Sequence, residues 1–310
     1  MKRRSLALIA GLVSVASVLS PAGIASAAAG SASIAPGAVV FSDGFDSFNS
    51  AVWQKQTGVI GPAGKSQAYN LIENVGIQTG TLAINTRRHC VPTGGIPSMG
   101  NINSSGSGCP AGTSKRYSSG RVDGMWTTPP GVNFEARISA LVPQNGKPGT
   151  RSALWMRNNQ PYCDPNVGKT NLGEFDLLEW HPERPTTSDS TTHISCSGSS
   201  LDPDPWKTER DLNQGQFNQA VWHEWSVTRI GNVVRYYRDN VQIGNDHICG
   251  LGEFGFTQGR CDAVLNDPWH FILQGEVFVN AGFGGHPGPD PTAFFPTQTL
   301  LIDWVQVTTL

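Results

Sequence analysis

Gly173-Glu174-Phe175-Asp176-Leu177-Leu178-Glu179-Trp180-His181 places three carboxylates within an apolar run that predicts a buried strand. Side chains alternate faces along a regular strand, so Glu174 and Asp176 share one face and Glu179 falls on the other. A β-bulge at Leu177-Leu178 adds one residue and returns Glu179 to the face of the other two acids. Ionised carboxylates buried without partners cost several kcal/mol. The trio therefore predicts a cleft that binds a substrate or a cation.

The spacing Glu-x-Asp-x-x-Glu in this stretch resembles the active-site strand of family 16 glycoside hydrolases, in the bulged form of laminarinase-like, agarase and carrageenase members. Other segments resemble further motifs of that family and follow one another in the family's order. They are residues 41–46, 117–121, 134–137, 152–157 and 300–307. The resemblance extends from Phe41 to the C terminus.

Strand signals recur along the rest of the chain. Thr81-Leu82-Ala83-Ile84-Asn85-Thr86 alternates apolar and polar residues, and Gly231-Asn232 supplies positive φ for a hairpin turn. No window of a dozen residues has a convincing apolar repeat of 3.6 residues. The pattern predicts an all-β sandwich, and the resemblance implies a β-jelly-roll of two antiparallel sheets with a concave substrate cleft.

The N-terminal segment has the charged, apolar and small-residue regions of a secretory signal, which we place at residues 1–29. Residues 30–38 follow as a flexible tether, and residues 39–310 form a single catalytic domain. Removal of Lys2, Arg3 and Arg4 leaves 19 basic residues against 24 acidic ones. This acidic balance argues against nucleic acid as a partner. We expect a secreted monomer that is not attached to a membrane.

Six cysteines in an exported protein predict three disulfides. Fifteen pairings of six cysteines exist. Proximity in sequence favours Cys90 with Cys109, Cys163 with Cys196, and Cys249 with Cys261.

Two carboxylates can hydrolyse a glycosidic bond with retention when they stand about 5 Å apart. The residues alone do not say which glutamate attacks and which donates the proton. The resemblance implies that Glu174 is the nucleophile and Glu179 the general acid and base. Asp176, between them on the same face, would assist the nucleophile. No cofactor is expected for catalysis.

The predicted substrate is a β-linked polysaccharide, either a β-1,3-glucan or a β-1,3-1,4-glucan. Trp155 and Trp180 are candidates for stacking on sugars, and His193 and Gln274 for binding their hydroxyls. The family's Trp-Pro before residues 152–157 is replaced by Arg151-Ser152, which leaves an agarase or carrageenase activity open. A lectin-like jelly roll without catalysis is the alternative of another class.

Two metal sites are also considered. Glu174, Asp176, Glu179, His181 and His193 could form a metal cluster, since carboxylates and imidazoles are ordinary ligands. The resemblance separately implies a structural calcium on the convex face. Asp303 matches the aspartate that holds it, with a further ligand near Asp43.

Overall fold

The computed structural model describes residues 35–59, 68–104, 108–161, 171–194, 206–210, 217–250, 258–278, 288–290 and 293–310. Within these ranges the chain forms seventeen strands and one α-helix. They are β1 (Val39–Asp43), β2 (Trp53–Lys55), β3 (Ala68–Asn70), β4 (Val75–Gln78), β5 (Thr81–Pro92), β6 (Thr113–Ser119), β7 (Arg121–Gly124), β8 (Phe134–Leu141), β9 (Thr150–Asn158), β10 (Gly173–Trp180), β11 (Asp189–Ile194), β12 (Trp206–Arg210), β13 (His223–Ile230), β14 (Val233–Arg238), β15 (Val241–Ile248), α1 (Gln258–Leu265), β16 (Trp269–Val277) and β17 (Gln298–Thr309).

The strands form two sheets. The larger has ten strands in the order β15-β14-β13-β8-β17-β5-β6-β3, with β1 beside β17 and β4 beside β5. The smaller has seven in the order β12-β11-β10-β9-β16-β7-β2. The pairings are antiparallel except that between β3 and β6. The prediction of an all-β chain with two antiparallel sheets is confirmed.

The described strands belong to a compact unit of Ala35–Leu310. The predicted signal and most of the predicted tether lie outside the described residues. In the part of the chain that the structure describes, no helix is both long and apolar enough to cross a membrane.

One apolar core joins the two sheets. Phe175, Leu177 and Leu178 of β10 are fully buried in it, together with Ile138 of β8 and Trp225 of β13. Burying a side chain of this size contributes roughly 1.5–3 kcal/mol. The strand that carries the three acids is therefore held along its inner face by the core.

Phe175 adds a ring contact to this packing. Its ring stacks on that of Trp269 in β16, with centroids 3.9 Å apart and planes 7° from parallel. Because Phe175 lies between Glu174 and Asp176 in sequence, the stack fixes the backbone from which both acids project.

The register of β10 contains the predicted bulge. Against β9, Asp176 pairs with Trp155 but Leu178 pairs with Leu154, and the shift falls at Leu177. Against β11 the shift falls between Asp176 and Glu179. Two consecutive leucines thus occupy the place of one residue, as the parity of the acids requires.

Ser190 of β11 stabilises the bulge. A bulged residue loses a hydrogen bond of the ladder, and an unpaired buried carbonyl is costly. Here the buried Ser190 Oγ donates to the backbone carbonyl of Leu177 at 2.9 Å. The irregular backbone between Asp176 and Glu179 is therefore satisfied from the neighbouring strand.

The turns at Gly231-Asn232 and at Asp239-Asn240 differ in backbone conformation. Gly231 has φ of +57°, whereas its partner Asn232 is not left-handed, so only one residue of the predicted pair supplies positive φ. The next turn, at Asp239 and Asn240, uses two left-handed residues with φ of +51° and +66°. Short polar side chains tolerate this conformation better than most.

Two of the predicted disulfides are confirmed. Cys90 is bonded to Cys109, and Cys249 is bonded to Cys261. The second bond ties α1 to the residue after β15. Cys163 and Cys196 lie outside the described residues.

Replacing Ser190 with alanine removes the donor to the Leu177 carbonyl, and we expect a loss of about 1–3 kcal/mol in the free energy of unfolding. Urea denaturation followed by tryptophan fluorescence measures it. The matched control is Ser188→Ala, because the Ser188 hydroxyl is also buried but has no hydrogen-bond partner among the described residues. Equal losses in the two variants would contradict the role given to Ser190.

Candidate active site

One face of the seven-stranded sheet carries Glu174, Asp176 and Glu179, and we call it the acid face. Strand register arranges its side chains in rows across the sheet. The first row is His193, Glu174, Arg157 and His270; the second is Thr191, Asp176, Trp155 and Ile272; the third is Asp189, Glu179, Ala153, Gln274 and Arg121. Arg151 and Glu276 pair one step further along. The bulge is what brings Glu179 into the third row.

His193 connects two of the acids. Its Nε2 lies 3.2 Å from Asp176 Oδ2 and 3.6 Å from Glu174 Oε1. His193 occupies this place because it is the register partner of Glu174 on β11. The structure thus brings together three of the residues singled out in the sequence.

The protonation of Glu174 is strongly perturbed. Burial raises its pKa, the charge of Asp176 raises it further, and the cations His193, Arg151 and Arg157 oppose them, with a net value of about 7. Glu174 can therefore exchange a proton near neutral pH, as groups at catalytic sites commonly do.

The pKa of His193 is raised. Burial acts against its charged form, but the hydrogen bond to Asp176 and the negative charges of Glu174 and Asp176 outweigh burial. Both acids therefore favour the charged form of the imidazole that lies between them.

Hydrogen bonds from the neighbouring sheet hold the part of β11 that carries His193. Tyr236 of β14 crosses from the ten-stranded sheet, and its hydroxyl donates to the carbonyl of Thr191 at 2.6 Å. The same hydroxyl is 2.8 Å from Thr192 Oγ1, which also contacts His247 Nδ1. Burial raises the pKa of Tyr236 well above its usual value, so the phenol keeps its proton. These contacts fix the part of β11 from which His193 projects.

Glu179 has a different environment. Its Oε1 forms an ion pair with Arg151 Nη1, and its Oε2 accepts a hydrogen bond from Thr191 Oγ1 at 3.3 Å. Arg151 also binds Glu276, with 2.5 Å between Nε and Oε2. Glu174 and Glu179 are therefore held by different partners although one strand carries both.

Trp155 lies in the second row, beside Asp176. The guanidinium carbon of Arg121 is 5.3 Å from the centre of the Trp155 ring, and Trp155 is only 6% exposed. Gln274 accepts a hydrogen bond from Arg121 Nη1 at 3.1 Å. Trp155 and Gln274 therefore lie on the acid face and both contact Arg121, and their binding to a sugar stays a prediction.

The prediction that Trp180 stacks on a sugar is wrong for this structure. Trp180 is 1% exposed, belongs to the core, and donates from Nε1 to the carbonyl of Pro185 at 3.3 Å. The reason is parity, because Trp180 follows Glu179 by one residue and so points to the opposite face.

The proposed five-residue metal cluster is only partly assembled. Among the described residues, the one group of three or more candidate ligands is Glu174, Asp176 and His193, whose ligand atoms lie within 4.8 Å of one another. Glu179 and His181 are not in it, and His181 instead stacks on Phe278. A metal requires the neutral imidazole, so the raised pKa of His193 works against one.

The calcium prediction rests on Asp303, which is exposed on β17. β17 pairs with β1, and Asp43 lies opposite Val305, so Asp303 is close to the expected strand. The Asp43 carboxylate accepts hydrogen bonds from Trp53 Nε1 and the Phe45 amide, both at 2.8 Å. Calcium takes six to eight oxygens, and a calcium site at Asp303 stays a prediction.

Arg151, Glu276 and His270 are among the residues of the acid face that the sequence did not predict as site residues. In the sequence, Arg151 stands out only as a departure from the family pattern. Alternation along a strand could have found two of these residues. Arg151 lies four residues from Trp155, and Glu276 lies two residues from Gln274, so each shares a face with a predicted site residue. Burial and the charge of Arg157 lower the pKa of His270 to about 4, so His270 is neutral at neutral pH.

No protein-family model matches the sequence, and no curated protein matches it. Solved structures do. The catalytic domain of the endo-1,3-beta-glucanase (laminarinase) from Thermotoga petrophila RKU-1 is 21% identical, with a TM-score of 0.62 over 88% of this chain and 98% of that chain. A single-residue variant of LamA from Z. galactanivorans, in complex with laminaritriose and laminaritetraose, is 17% identical, with a TM-score of 0.60 over 88% and 100%.

A third similar structure comes from endo-acting O-glycanases that members of the human gut microbiota express to initiate mucin breakdown. It is 19% identical, with a TM-score of 0.63 over 88% of this chain and 90% of that chain. At these identities the likeness establishes the fold. The chain has the fold of laminarinase catalytic domains, and the resemblance to family 16 glycoside hydrolases is confirmed at that level.

The environment of Glu174 can be tested without a substrate. In protein labelled with ¹³C at the glutamate carboxyls, we expect the signal of Glu174 to titrate with a midpoint of about 7. The signal is assigned by its disappearance in Glu174→Gln. Asp176→Asn removes a charge that raises this pKa, so the midpoint should fall.

His193→Gln is the control with the opposite sign, because His193 lowers the pKa of Glu174 and its loss should raise the midpoint. Midpoints that move in the same direction in Asp176→Asn and His193→Gln would refute the proposed electrostatics of the cluster.

Proposed function

We propose that this chain is a secreted, endo-acting retaining glycoside hydrolase that cleaves a β-1,3-glucan or a β-1,3-1,4-glucan. The observation that carries the proposal is the bulge that places Glu174, Asp176 and Glu179 on one face of the sheet. Hydrolysis of a glycosidic bond needs two carboxyl groups with separate tasks. Glu174 and Glu179 have different partners, with His193 and Asp176 beside the first and Arg151 and Thr191 beside the second, and in this arrangement the raised pKa is that of Glu174.

In the first step, a Glu174 carboxylate oxygen attacks the anomeric carbon of the sugar bound across the acid face. The bond from that carbon to the glycosidic oxygen breaks, and the leaving oxygen takes a proton from Glu179. The products are a glycosyl ester on Glu174, an ionised Glu179 and the released chain end.

In the second step, Glu179 takes a proton from a water molecule, whose oxygen attacks the anomeric carbon. The bond between that carbon and Glu174 breaks, and Glu174 leaves as a carboxylate. The sugar keeps its original configuration, and both glutamates return to their starting state.

Asp176 and His193 act on the nucleophile. Asp176 raises the pKa of Glu174, and protonated His193 lowers it. An attacking carboxylate must be ionised, so kcat/KM should rise as the pH increases through about 7. The positive charge of His193, beside both acids, stabilises the ionised nucleophile before attack.

The choice of a neutral glucan is supported by the similar structure that holds laminaritriose and laminaritetraose. Trp155 and Gln274 offer a ring and an amide on the acid face for a sugar. An agarase or carrageenase activity would use the same acids on another polymer. A lectin-like sandwich would have no need of three carboxylates aligned by a bulge.

The substrate assignment is tested by measuring reducing-sugar release from laminarin, lichenan, agarose, carrageenan and mucin. We expect release from laminarin or lichenan. Release from agarose, carrageenan or mucin alone would replace the glucan assignment, and release from none would favour a binding module.

On the polymer that is cleaved, Glu174→Gln and Glu179→Gln should abolish hydrolysis with the fold intact by circular dichroism. Asp176→Asn should slow hydrolysis strongly. General acid and base catalysis contributes about 10²- to 10⁴-fold, which sets the expected size of the Glu179 effect. Near-normal turnover by pure Glu174→Gln protein would contradict the assignment of the nucleophile.

A metal at Glu174, Asp176 and His193 is the second candidate that the geometry brings forward. Dialysis of the protein against excess EDTA separates the two mechanisms, with reducing-sugar release as the measurement. We expect unchanged hydrolysis, since the proposed steps use only carboxyl groups. Loss of hydrolysis that zinc restores and calcium does not would support a metal at Glu174, Asp176 and His193 instead, because an imidazole ligand suits zinc and not calcium.

A further inference from the structure

Arg151 links the predicted general acid and base to a second glutamate. Nη1 of Arg151 forms an ion pair with Glu179, while its Nε and Nη2 both bind Oε2 of Glu276. Arg151 and Glu276 are register partners on β9 and β16. All three side chains are mostly buried, with exposures of 14% for Arg151, 17% for Glu179 and 18% for Glu276.

The other groups around Glu179 are already engaged. From β11, Thr191 donates to its Oε2 and Asp189 lies opposite it, held by Arg184 at 2.9 Å. On β10 itself, Asp176 is the next acid on the same face, and it binds His193. Among the described side chains, Arg151 is the cation in contact with Glu179.

The inference drawn from this arrangement rests on the proposed function, in which Glu179 has to change its protonation state between the two steps. Glu179 must carry a proton in the first step and be ionised in the second. An arginine bound to it permanently would favour only the ionised form. A second acceptor for the same arginine removes that restriction.

We propose that Arg151 is a positioning residue that holds Glu179 as the ionised base, and that Glu276 is the alternative acceptor that lets Arg151 release Glu179 for protonation. With Arg151 on Glu179, the carboxylate is oriented to take a proton from water. The structure holds both contacts at once through separate nitrogens of Arg151. When the contact to Glu179 opens, Glu276 keeps the guanidinium paired, and one oxygen of Glu179 is open to carry the proton for the leaving group. The ring of Phe278, 5.6 Å from the guanidinium carbon, supports Arg151 between the two glutamates.

The two steps can be separated by the leaving group of the substrate. A 2,4-dinitrophenyl glycoside needs no proton donor in the first step, so the second step limits its turnover, whereas the natural polymer has a poor leaving group and needs the acid. Both substrates are to be compared at saturating concentration. The glycoside carries the disaccharide unit of the polymer that the wild-type chain cleaves.

Arg151→Met removes the charge that orients the base. We expect kcat on the dinitrophenyl glycoside to fall about tenfold, with KM falling in parallel because the glycosyl ester accumulates. The loss on the polymer should be smaller. Azide should restore turnover of the glycoside, since this anion attacks without giving up a proton. Arg151→Lys, which keeps the charge, should recover most of the loss.

Glu276→Gln removes the alternative acceptor, so Arg151 stays on Glu179. We expect about a tenfold loss on the polymer and a smaller loss on the glycoside, which is the reverse of the Arg151→Met pattern. Should Arg151→Met fail to fold, Glu276→Gln and Arg151→Lys still test the inference.

The matched control is Arg137→Met on the ten-stranded sheet. Arg137 also lies between two glutamates, in an ion pair with Glu224 and 3.8 Å from Glu135, but on the other sheet from the acids. Arg137→Met should leave kcat on both substrates unchanged. Equal losses on the two substrates in the Arg151 and Glu276 variants would overturn the inference alone. A wild-type chain that cleaves no polymer would overturn the proposed function and the inference with it.

Discussion

The bulge at Leu177 and Leu178 is the constraint on which the acid face depends. A regular strand would direct Glu179 into the core, where burial of a carboxylate is prohibitive. The bulge instead buries two consecutive leucines and turns Glu179 outward. The hydroxyl of Ser190 satisfies the carbonyl that the irregular backbone leaves without a ladder partner. A single local irregularity in the sheet thus decides that Glu179 joins Glu174 and Asp176 on one face.

The bulge also gives the two glutamates different neighbours. Glu174, before it, remains in register with His193 and shares that imidazole with Asp176. Glu179, after it, is displaced toward Arg151 and Thr191. Two carboxylates in similar surroundings would have similar proton affinities, whereas acid and base chemistry needs them to differ. The asymmetry follows from the backbone before any substrate is bound.

Local patterns in the sequence were sufficient for the strand that carries the acids, its bulge and the two described disulfides. Each depends on residues close together in the chain, such as the parity of Glu174 and Glu179 or the short separation of Cys249 and Cys261. Trp180 stands beside the acids in sequence, as a sugar-binding ring would, but its parity places it in the core. Helix α1 has no amphipathic repeat from which it could be predicted, and its disulfide and its burial in the core stabilise it instead.

The contact of Arg151 with Glu179 and Glu276 joins three strands that are separated in sequence. Only the sheet order brings them together.

The same sheet order bears on which polymer the acid face suits. A sulfated chain needs cations that are not already neutralised. On this face Arg121 is paired with Asp123 through two contacts, at 2.6 and 3.1 Å, and Arg151 is shared by two glutamates. Arg157 donates to the carbonyls of Asn158 and Gln160 and lies opposite Glu174. Binding a sulfate would require breaking such pairs, at the cost of leaving buried carboxylates uncompensated. A neutral sugar can hydrogen-bond to the same arginines without displacing their partners. Among the described residues, the pairing of these arginines supports the neutral glucan of the proposed function over a sulfated galactan.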